Sequence, residues 1–490
     1  GHVTMVLLFV YFVYEESMLD FRLPELQSIA DFLGVPISWQ GTLDSVFLLV
    51  EFGSLEGAKR VADRCMLVRG LFELWGQALD HPSLIDCLRK SPDFFDRHLT
   101  NKKFKYMIES FGRSYPRDKQ MEMIEQFTEQ LAHGGSVSMK DPDTILWVFE
   151  DVGRQMPPDV PPKQVYYARE LHLSQSRKVA QQYTLKKRHY LGTTSMPAEY
   201  SFVMANMAQL KAHDMVVDCF CGTASILVAA GHLGAHCYGV EIDPRVLRGR
   251  EEGKNVYSNF KQYNLVKPEF LRGDMARRFF WRAADTFDAI LTDPPYGARA
   301  GSRKVNEKTM EKIIQDHKEG AHTDAPIIPT EGYELGDMLT DLLNFAGRML
   351  RPGGRLVFWL PTTELYTDKE LPSHPCLELL YNTEQPITIR LRRRLLTYVK
   401  TKKHEGEVAT APEYSPDMKS MEYQSDTYLS YKAKVEKKKA AVRKYKEDHG
   451  IPIVSKAERR REYKAKQQKV TQPEQECEAA PAADVQPQNL

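Results

Sequence analysis

Between Met215 and Asp293 four strand-like runs are each followed by a carboxylate, and this rhythm constrains the chain's fold more than any other feature. Met215–Val217 ends in Asp218, Ala235–Val240 ends in Glu241, a third run delivers Gly273-Asp274, and Phe287–Thr292 ends in Asp293. A helical stretch from Ser225 through Leu227, Val228 and Ala229 separates the first two. Apolar strands alternating with helices predict an α/β domain built on a doubly wound parallel sheet. Such sheets bind ligands where the carboxyl ends of their strands open. The acids are therefore expected along one cleft.

The first of these strands passes into Cys219-Phe220-Cys221-Gly222-Thr223-Ala224 before the helix starts. A tight loop of this kind lets backbone approach a nucleotide-like ligand, and Gly222 removes the Cβ that would clash. Asp218, Cys219, Gly222 and Thr223 are the expected cofactor contacts, with Asp218 facing a positively charged amino group. Glu241 is placed to accept both hydroxyls of a ribose. Asp243, followed by Pro244, reads instead as a helix N-cap and first helical residue. Asp274 is expected to accept from an adenine amine. One acid after a strand is weak, because acids often cap helices. Three in order, without G-x-G-x-x-G or a P-loop lysine, fit S-adenosylmethionine better than NAD or ATP. The sequence departs from the usual Gly-Thr-Gly of such loops at Ala224.

The fourth strand ends in Asp293-Pro294-Pro295-Tyr296-Gly297, the most specific motif in the chain. An exocyclic base amine is a poor nucleophile, because its lone pair is delocalised into the ring. Two acceptors gripping its two N–H bonds favour a pyramidal nitrogen and free that lone pair. Asp293 would be one acceptor and the carbonyl of Pro294 the other, with consecutive prolines fixing the backbone. Tyr296 offers a face for an unstacked base, beside Pro295. Arg299 and Arg303 would hold flanking phosphates, a solvated loop being the plain alternative. Lys187 and Arg188, within Lys186-Lys187-Arg188-His189, are further candidates for the nucleic acid. Arg390, Arg392, Arg393 and Arg394 suggest a phosphate-binding stripe.

Later runs complete a seven-stranded sheet. A helix over Leu339–Leu350 leads through Arg351-Pro352-Gly353-Gly354 into Arg355–Leu360, and strands follow near Leu377–Tyr381 and Leu395–Lys400. Upstream, a strand over Val3–Tyr14, a helix over Leu23–Phe32, a strand over Val46–Phe52 and a helix from Leu55 make a small α/β module at 1–100. A basic strand (Lys102–Phe111), a helix over Lys119–Leu131 and strands at Ser136–Lys140 and Thr144–Glu150 follow. This second layout, at 101–155, resembles a THUMP domain, an RNA-binding fold of tRNA-modifying enzymes. The prolines of Gln155–Pro162 point to a linker over 156–190, ahead of a catalytic domain at 191–404. From 405 to 490 the chain reads as a basic, partly disordered tail, with fifteen Lys or Arg against five Asp or Glu in 431–470.

The net charge of +1 says little about partners. Seven scattered cysteines without a C-x-x-C pair argue against a disulfide framework and a structural zinc site. The apolar run Val3–Val13 is shorter than the ~20 residues a membrane span needs. With no targeting signal evident, a cytoplasmic enzyme is expected.

The stretches FRLPEL, LFELWG, LKKRHYLG, TTSM, DPPYG, LLNFAGRML and HPCLEL together resemble the catalytic subunits of eukaryotic tRNA guanine-N2 methyltransferases that act on guanosine 10, from about Phe21 to Lys400. The resemblance implies a Rossmann-like class I methyltransferase domain, an N-terminal module and THUMP domain that grip tRNA, and a small zinc-containing activator subunit as partner. It maps the cofactor loop onto Asp218–Ala224, the ribose acid onto Glu241 and the catalytic motif onto Asp293–Tyr296. Adenine-N6 or cytosine-N4 methylation of RNA shares the same proline-turn chemistry. A non-catalytic RNA-binding subunit is the reading from a different class.

Overall fold

The computed structural model of the chain describes residues 5–41, 45–131, 134–153, 160–192, 195–249, 251–277, 281, 284–295, 303–306, 309, 311, 330–388, 391–410 and 412. Two large sheets organise them. The first takes up β1 (Val6–Phe12), β2 (Ile37–Trp39), β3 (Phe47–Phe52), β4 (Val68–Ala78), β5 (Lys103–Phe111), β6 (Ser136–Val137), β7 (Thr144–Asp151) and β8 (Gln164–Leu173), in the order β2-β3-β1-β4-β8-β7-β5-β6. Five helices belong with it: α1 (Arg22–Leu33), α2 (Leu55–Arg64), α3 (His81–Arg89), α4 (Asp93–Leu99) and α5 (Arg117–Gln130).

Local chemistry sets the ends of these helices. Pro24 sits in the first turn of α1, where its missing N–H costs nothing. The helix stops at Gly34, whose φ of 64° closes a left-handed cap. Ser54 caps α2 by accepting from the Gly57 N–H, and Ala58, Val61 and Ala62 form the buried face of that helix.

One expectation needs correction here. Residues 164–173 are no linker: β8 lies between β4 and β7, antiparallel to both. It joins the first hundred residues and the THUMP-like stretch into a single sheet, so 1–100 and 101–155 are not separate modules. Val165, Tyr167 and Ala168 of β8 are buried, which is why the strand is held there. The strand β4 and the helices α3 and α4 had no counterpart among the expected elements.

The second sheet contains β9 (Met215–Asp218), β10 (His236–Glu241), β11 (Glu269–Arg272) and β12 (Phe287–Thr292). A small two-stranded antiparallel sheet of β13 (Arg303–Val305) and β14 (Thr330–Gly332) precedes its last three strands, β15 (Leu350–Thr363), β16 (Leu377–Pro386) and β17 (Leu391–Lys400). The order β11-β10-β9-β12-β15-β17-β16 is the expected seven-stranded sheet. Strands β9 to β12 and β15 run parallel, whereas β17 is antiparallel to both β15 and β16. The chain builds outward from β9 through β10 to β11, then returns to the other side of β9 as β12. That reversal is a topological switch point, and it lies between the strands ending in Asp218 and Asp293.

Helices α6 (Ser176–Gln182), α7 (Ala198–Met207), α8 (Ser225–His232), α9 (Pro244–Arg248), α10 (Val256–Gln262) and α11 (Leu335–Met349) accompany this sheet. Leu227 and Val228 of α8 join Val216 and Leu291 in one core, while Leu342 and Phe345 of α11 join Val217 and Ile290 in another. The strand side chains alternate between these two cores, as residues of a doubly covered sheet must. Among the described residues no helix is long and apolar enough to cross a membrane.

Candidate active site

The two strands flanking the switch point are tied together at their ends. Thr292, the last residue of β12, donates its hydroxyl to Asp218 Oδ1 at 2.6 Å, and the Phe220 N–H donates to the same oxygen at 3.0 Å. Asp218 is buried, and burial pushes its carboxyl up to about 7 despite those two bonds. The nearby negative charges of Asp293 and Glu241 push in the same direction. A buried acid beside two others is a place where an arriving cation would be welcome.

Glu241 is held rigidly by backbone. Its Oε2 accepts from the Gly222 N–H at 3.0 Å and its Oε1 from the Asp243 N–H at 2.9 Å, while burial raises its carboxyl above the ordinary carboxylate range. Each oxygen keeps further lone-pair capacity for a hydroxyl. Gly222 has a φ of +50°, and a Cβ built on it would meet nothing within 4 Å. Open space therefore lies directly beside the Glu241 carboxylate. Asp243 instead caps α9 through the Arg245 N–H, and Pro244 is in the first turn, as the sequence indicated.

The loop has further support that sequence reasoning missed. The Cys221 N–H bonds to the Val240 carbonyl at 3.0 Å, tying the loop to β10. Thr223 pairs its hydroxyl with that of Ser195 at 2.8 Å, and the Gly192 N–H donates to Ser195 at 2.9 Å. A Cβ on Gly192 would lie 2.8 Å from the Thr223 methyl, so only glycine permits this approach. Ala224 adopts a left-handed φ of 61° with its methyl fully buried. Cys219 does not face the cleft: its thiol is buried among Val217, Val240 and Ile290, and burial raises it well above the ordinary thiol range. Its thiol packs in the core, which leaves only the backbone of Cys219 for the expected cofactor contact.

Asp274 is buried beyond the end of β11, where its Oδ1 accepts from the Ala276 N–H at 3.0 Å. Tyr333 and Asp341, neither of them anticipated, stand close enough to feel its charge. Tyr333 donates its hydroxyl to Asp341 at 2.5 Å. At the opposite side of the switch point, Asp293 is partly exposed, Pro294 buried and Pro295 half-buried. The Arg393 Nη1 lies 3.6 Å from Asp293 Oδ2. Tyr296 and Arg299 lie outside the described residues, and so does the side chain of Arg303, whose backbone opens β13.

Two readings of basic residues change. Lys187 is exposed, but Arg188 is buried, donating to the Ser225 hydroxyl at 2.8 Å and to the Tyr183 carbonyl at 3.2 Å. Its guanidinium braces the start of α8 and is not available to a phosphate. The arginine stripe is also broken up. Arg392 and Arg394 both pair with Glu384 of β16, and Arg393 points to the other face of β17. Arg390 lies outside the described residues.

Comparison with known proteins agrees with this architecture. A family model described as the Tmrp11 THUMP N-terminal domain matches residues 8–176, and one described as the RMKL-like methyltransferase domain matches residues 186–341. The chain is 36% identical over 412 residues to the tRNA (guanine(10)-N(2))-methyltransferase TRMT11 of Pongo abelii, covering 80% of this chain and 88% of that one. The Homo sapiens protein of the same name gives the same figures. The one from Dictyostelium discoideum is 33% identical over 415 residues, covering 79% and 81%.

Proposed function

The chain belongs to the tRNA (guanine(10)-N(2))-methyltransferase family, and we propose that it transfers a methyl group from S-adenosylmethionine to the exocyclic N2 amine of guanosine 10 in tRNA. The observation that carries this reading is the 2.6 Å bond from Thr292 to Asp218. It brings the start of the Asp293-Pro294-Pro295 turn and the start of the Gly222 loop to one edge of the sheet. A donor held by one and an acceptor held by the other can meet there.

The residues present fit the cofactor. Asp218 offers negative charge to its amino group, Glu241 two oxygens to its ribose, and Asp274 an acceptor to its adenine. The open space at Gly222 accommodates the backbone approach. When bound, S-adenosylmethionine supplies an electrophilic methyl carbon on a sulfonium.

What the protein adds is orientation and acceptor geometry. Asp293 takes one amine N–H and the carbonyl of Pro294 the other, so that the nitrogen lone pair turns away from the ring. As the N–C bond forms the methyl–sulfur bond breaks, its electron pair staying on the sulfur of the departing thioether, and the amine must lose a proton, which Asp293 would receive. Well-oriented reacting groups gain ~7–11 kcal/mol over a bimolecular encounter. Tyr296 would stack on the base, and Arg299, Arg303 and Lys187 would meet flanking phosphates. Extracting a paired base costs on the order of a few kcal/mol, a cost that RNA contacts by the N-terminal unit over residues 8–176 would offset.

A small zinc-containing activator subunit, which the family resemblance implies, and a cytoplasmic setting complete the reading. The decisive test maps the methylated nucleotide in tRNA after incubation with the purified chain, with and without the activator. N2-methylguanosine at position 10 is expected, and a methylated adenine or cytosine would overturn the substrate. Asp293→Ala is expected to keep tRNA affinity while abolishing transfer. Equal loss of both would make Asp293 a structural residue.

A further inference from the structure

Strand β17 carries Arg392-Arg393-Arg394, and the alternation of a strand sends the middle one to the opposite face from its neighbours. Arg392 and Arg394 meet at Glu384. Arg393 instead lies across β15. Its guanidinium carbon is 3.8 Å from the ring centre of Trp359 and 5.4 Å from that of Tyr200. Its Nε donates to the side chain of Gln385, its register partner on β16, and its Nη2 is 3.9 Å from the Met196 sulfur. The remaining arm reaches the end of β12, where Nη1 stands 3.6 Å from Asp293 Oδ2.

The surroundings make this arm stiff. Trp359 is fully buried and is packed edge-on by Phe21, from the N-terminal part of the chain, and by Tyr200 of α7. Tyr200 donates to the Ser17 hydroxyl at 2.7 Å and accepts from Gln385. A planar guanidinium stacked on an indole and bonded along its edge has little freedom left. A lysine ammonium could neither stack as a plane nor hold Gln385 and Asp293 with separate nitrogens.

We propose that Arg393 is a positioning residue for methyl transfer, fixing the rotamer and the charge of the Asp293 carboxylate through Oδ2. The proposal rests on the reading of Asp293 as the acceptor for the reacting amine. Asp293 stands near the buried Asp218, and two neighbouring carboxylates resist ionising together. The Arg393 cation 3.6 Å from Oδ2 favours the negative charge on the carboxylate that must accept an N–H. The stacked arm also fixes where that oxygen points, and a misplacement of about 1 Å at such a site can lower turnover roughly hundredfold.

The test compares Arg393→Met, Arg393→Lys, Asp293→Asn and the double variant Arg393→Met/Asp293→Asn in the full chain. Turnover on tRNA, KM for tRNA, cofactor affinity by calorimetry and thermal unfolding are measured for each. Arg393→Met is expected to lower kcat by about a hundredfold, with KM and cofactor affinity within about threefold of wild type. Arg393→Lys should recover part of that loss, and the double variant should be no slower than Asp293→Asn alone. A raised KM with unchanged kcat would make Arg393 an RNA contact and overturn the proposal, as would losses that multiply in the double variant. If Arg393→Met does not fold, Arg393→Lys decides: a folded variant with wild-type kcat refutes positioning by the stacked fork. If Asp293→Asn itself keeps full activity, an amide oxygen serves as well as the carboxylate, and the reading of Asp293 as a charged, proton-receiving acceptor fails first. If only the Arg393 variants keep it, this inference alone falls.

Discussion

Asn206 of α7 donates its side-chain amide to Glu25 of α1 at 2.7 Å, and the acid it meets is completely buried. Glu25 also accepts from the N–H groups of Met66 and Leu67, at 2.9 and 3.0 Å. Arg64 donates to the Asn206 side-chain oxygen at 2.8 Å and to the Leu210 carbonyl at 2.7 Å. These bonds fasten the helices of the first sheet to a helix of the second. Because the partners are buried, removing one strands the others without water. Asn206→Ala is expected to lower stability by about 1–3 kcal/mol, measured as a shifted urea midpoint. An unchanged midpoint would mean that the seam contributes no measurable stability.

How much of this was legible in the sequence differs sharply between the two sheets. The second could be read because β9, β10 and β12 are largely apolar runs with an acid at their carboxyl ends, a purely local signal. Five strands of the first were read as well, but not their union into one sheet, because β8 pairs with β4 across about a hundred residues and its second half, Arg169-Glu170-Leu171-His172-Leu173, is mostly polar. No local pattern announces such a pairing. At the site, Asp218, Glu241 and Asp293 were visible as strand ends, whereas the Ser195 hydroxyl bonded to Thr223 was not, since it comes from outside the loop. Arg393 was visible only as one of a cluster. Period-two alternation could have separated it from Arg392 and Arg394, but its partner Asp293 is about a hundred residues earlier.

Arg188 is expected to behave as a structural arginine, contrary to its basic surroundings. Arg188→Ala removes the bonds to Ser225 and Tyr183 and leaves their buried oxygens to find water. A stability loss of about 1–3 kcal/mol is expected, with tRNA affinity of the remaining folded protein within about threefold of wild type. Filter binding over a salt series separates the two. A salt slope shallower by roughly one than wild type would restore Arg188 as a phosphate contact.

Ala224 marks the departure from the usual glycine, and its backbone is left-handed. Glycine there would relieve strain of roughly 1–2 kcal/mol. Against this it gives up a buried methyl, ~0.8 kcal/mol, and adds freedom to the unfolded chain worth ~0.5–1 kcal/mol. These terms nearly cancel, so Ala224→Gly should change stability by less than about 1 kcal/mol. The methyl is fully buried and does not project into the open space at Gly222. Cofactor affinity should therefore stay within about threefold. A tenfold tightening in calorimetry would show that alanine restricts the loop.

Asp218 makes cofactor binding depend on pH in a defined sense. Burial lifts its carboxyl from the ordinary 3.8 to about 7, so between those values the folded chain holds a proton that the unfolded chain has released. Stability from this group is present at acid pH and falls as the pH rises toward 7. A cationic amino group beside Asp218 favours the ionised form and reverses that preference. At pH 6 binding must then expel a proton, whereas at pH 8 it need not. The affinity for S-adenosylmethionine is expected to weaken from pH 8 to pH 6, approaching tenfold per unit below the free-protein value. Calorimetry at pH 6 in two buffers of different ionisation enthalpy reads the proton directly. Release approaching one proton supports Asp218 as the partner of the amino group, and Asp218→Asn should abolish both the release and the pH dependence. Identical heats in the two buffers would put the amino group elsewhere.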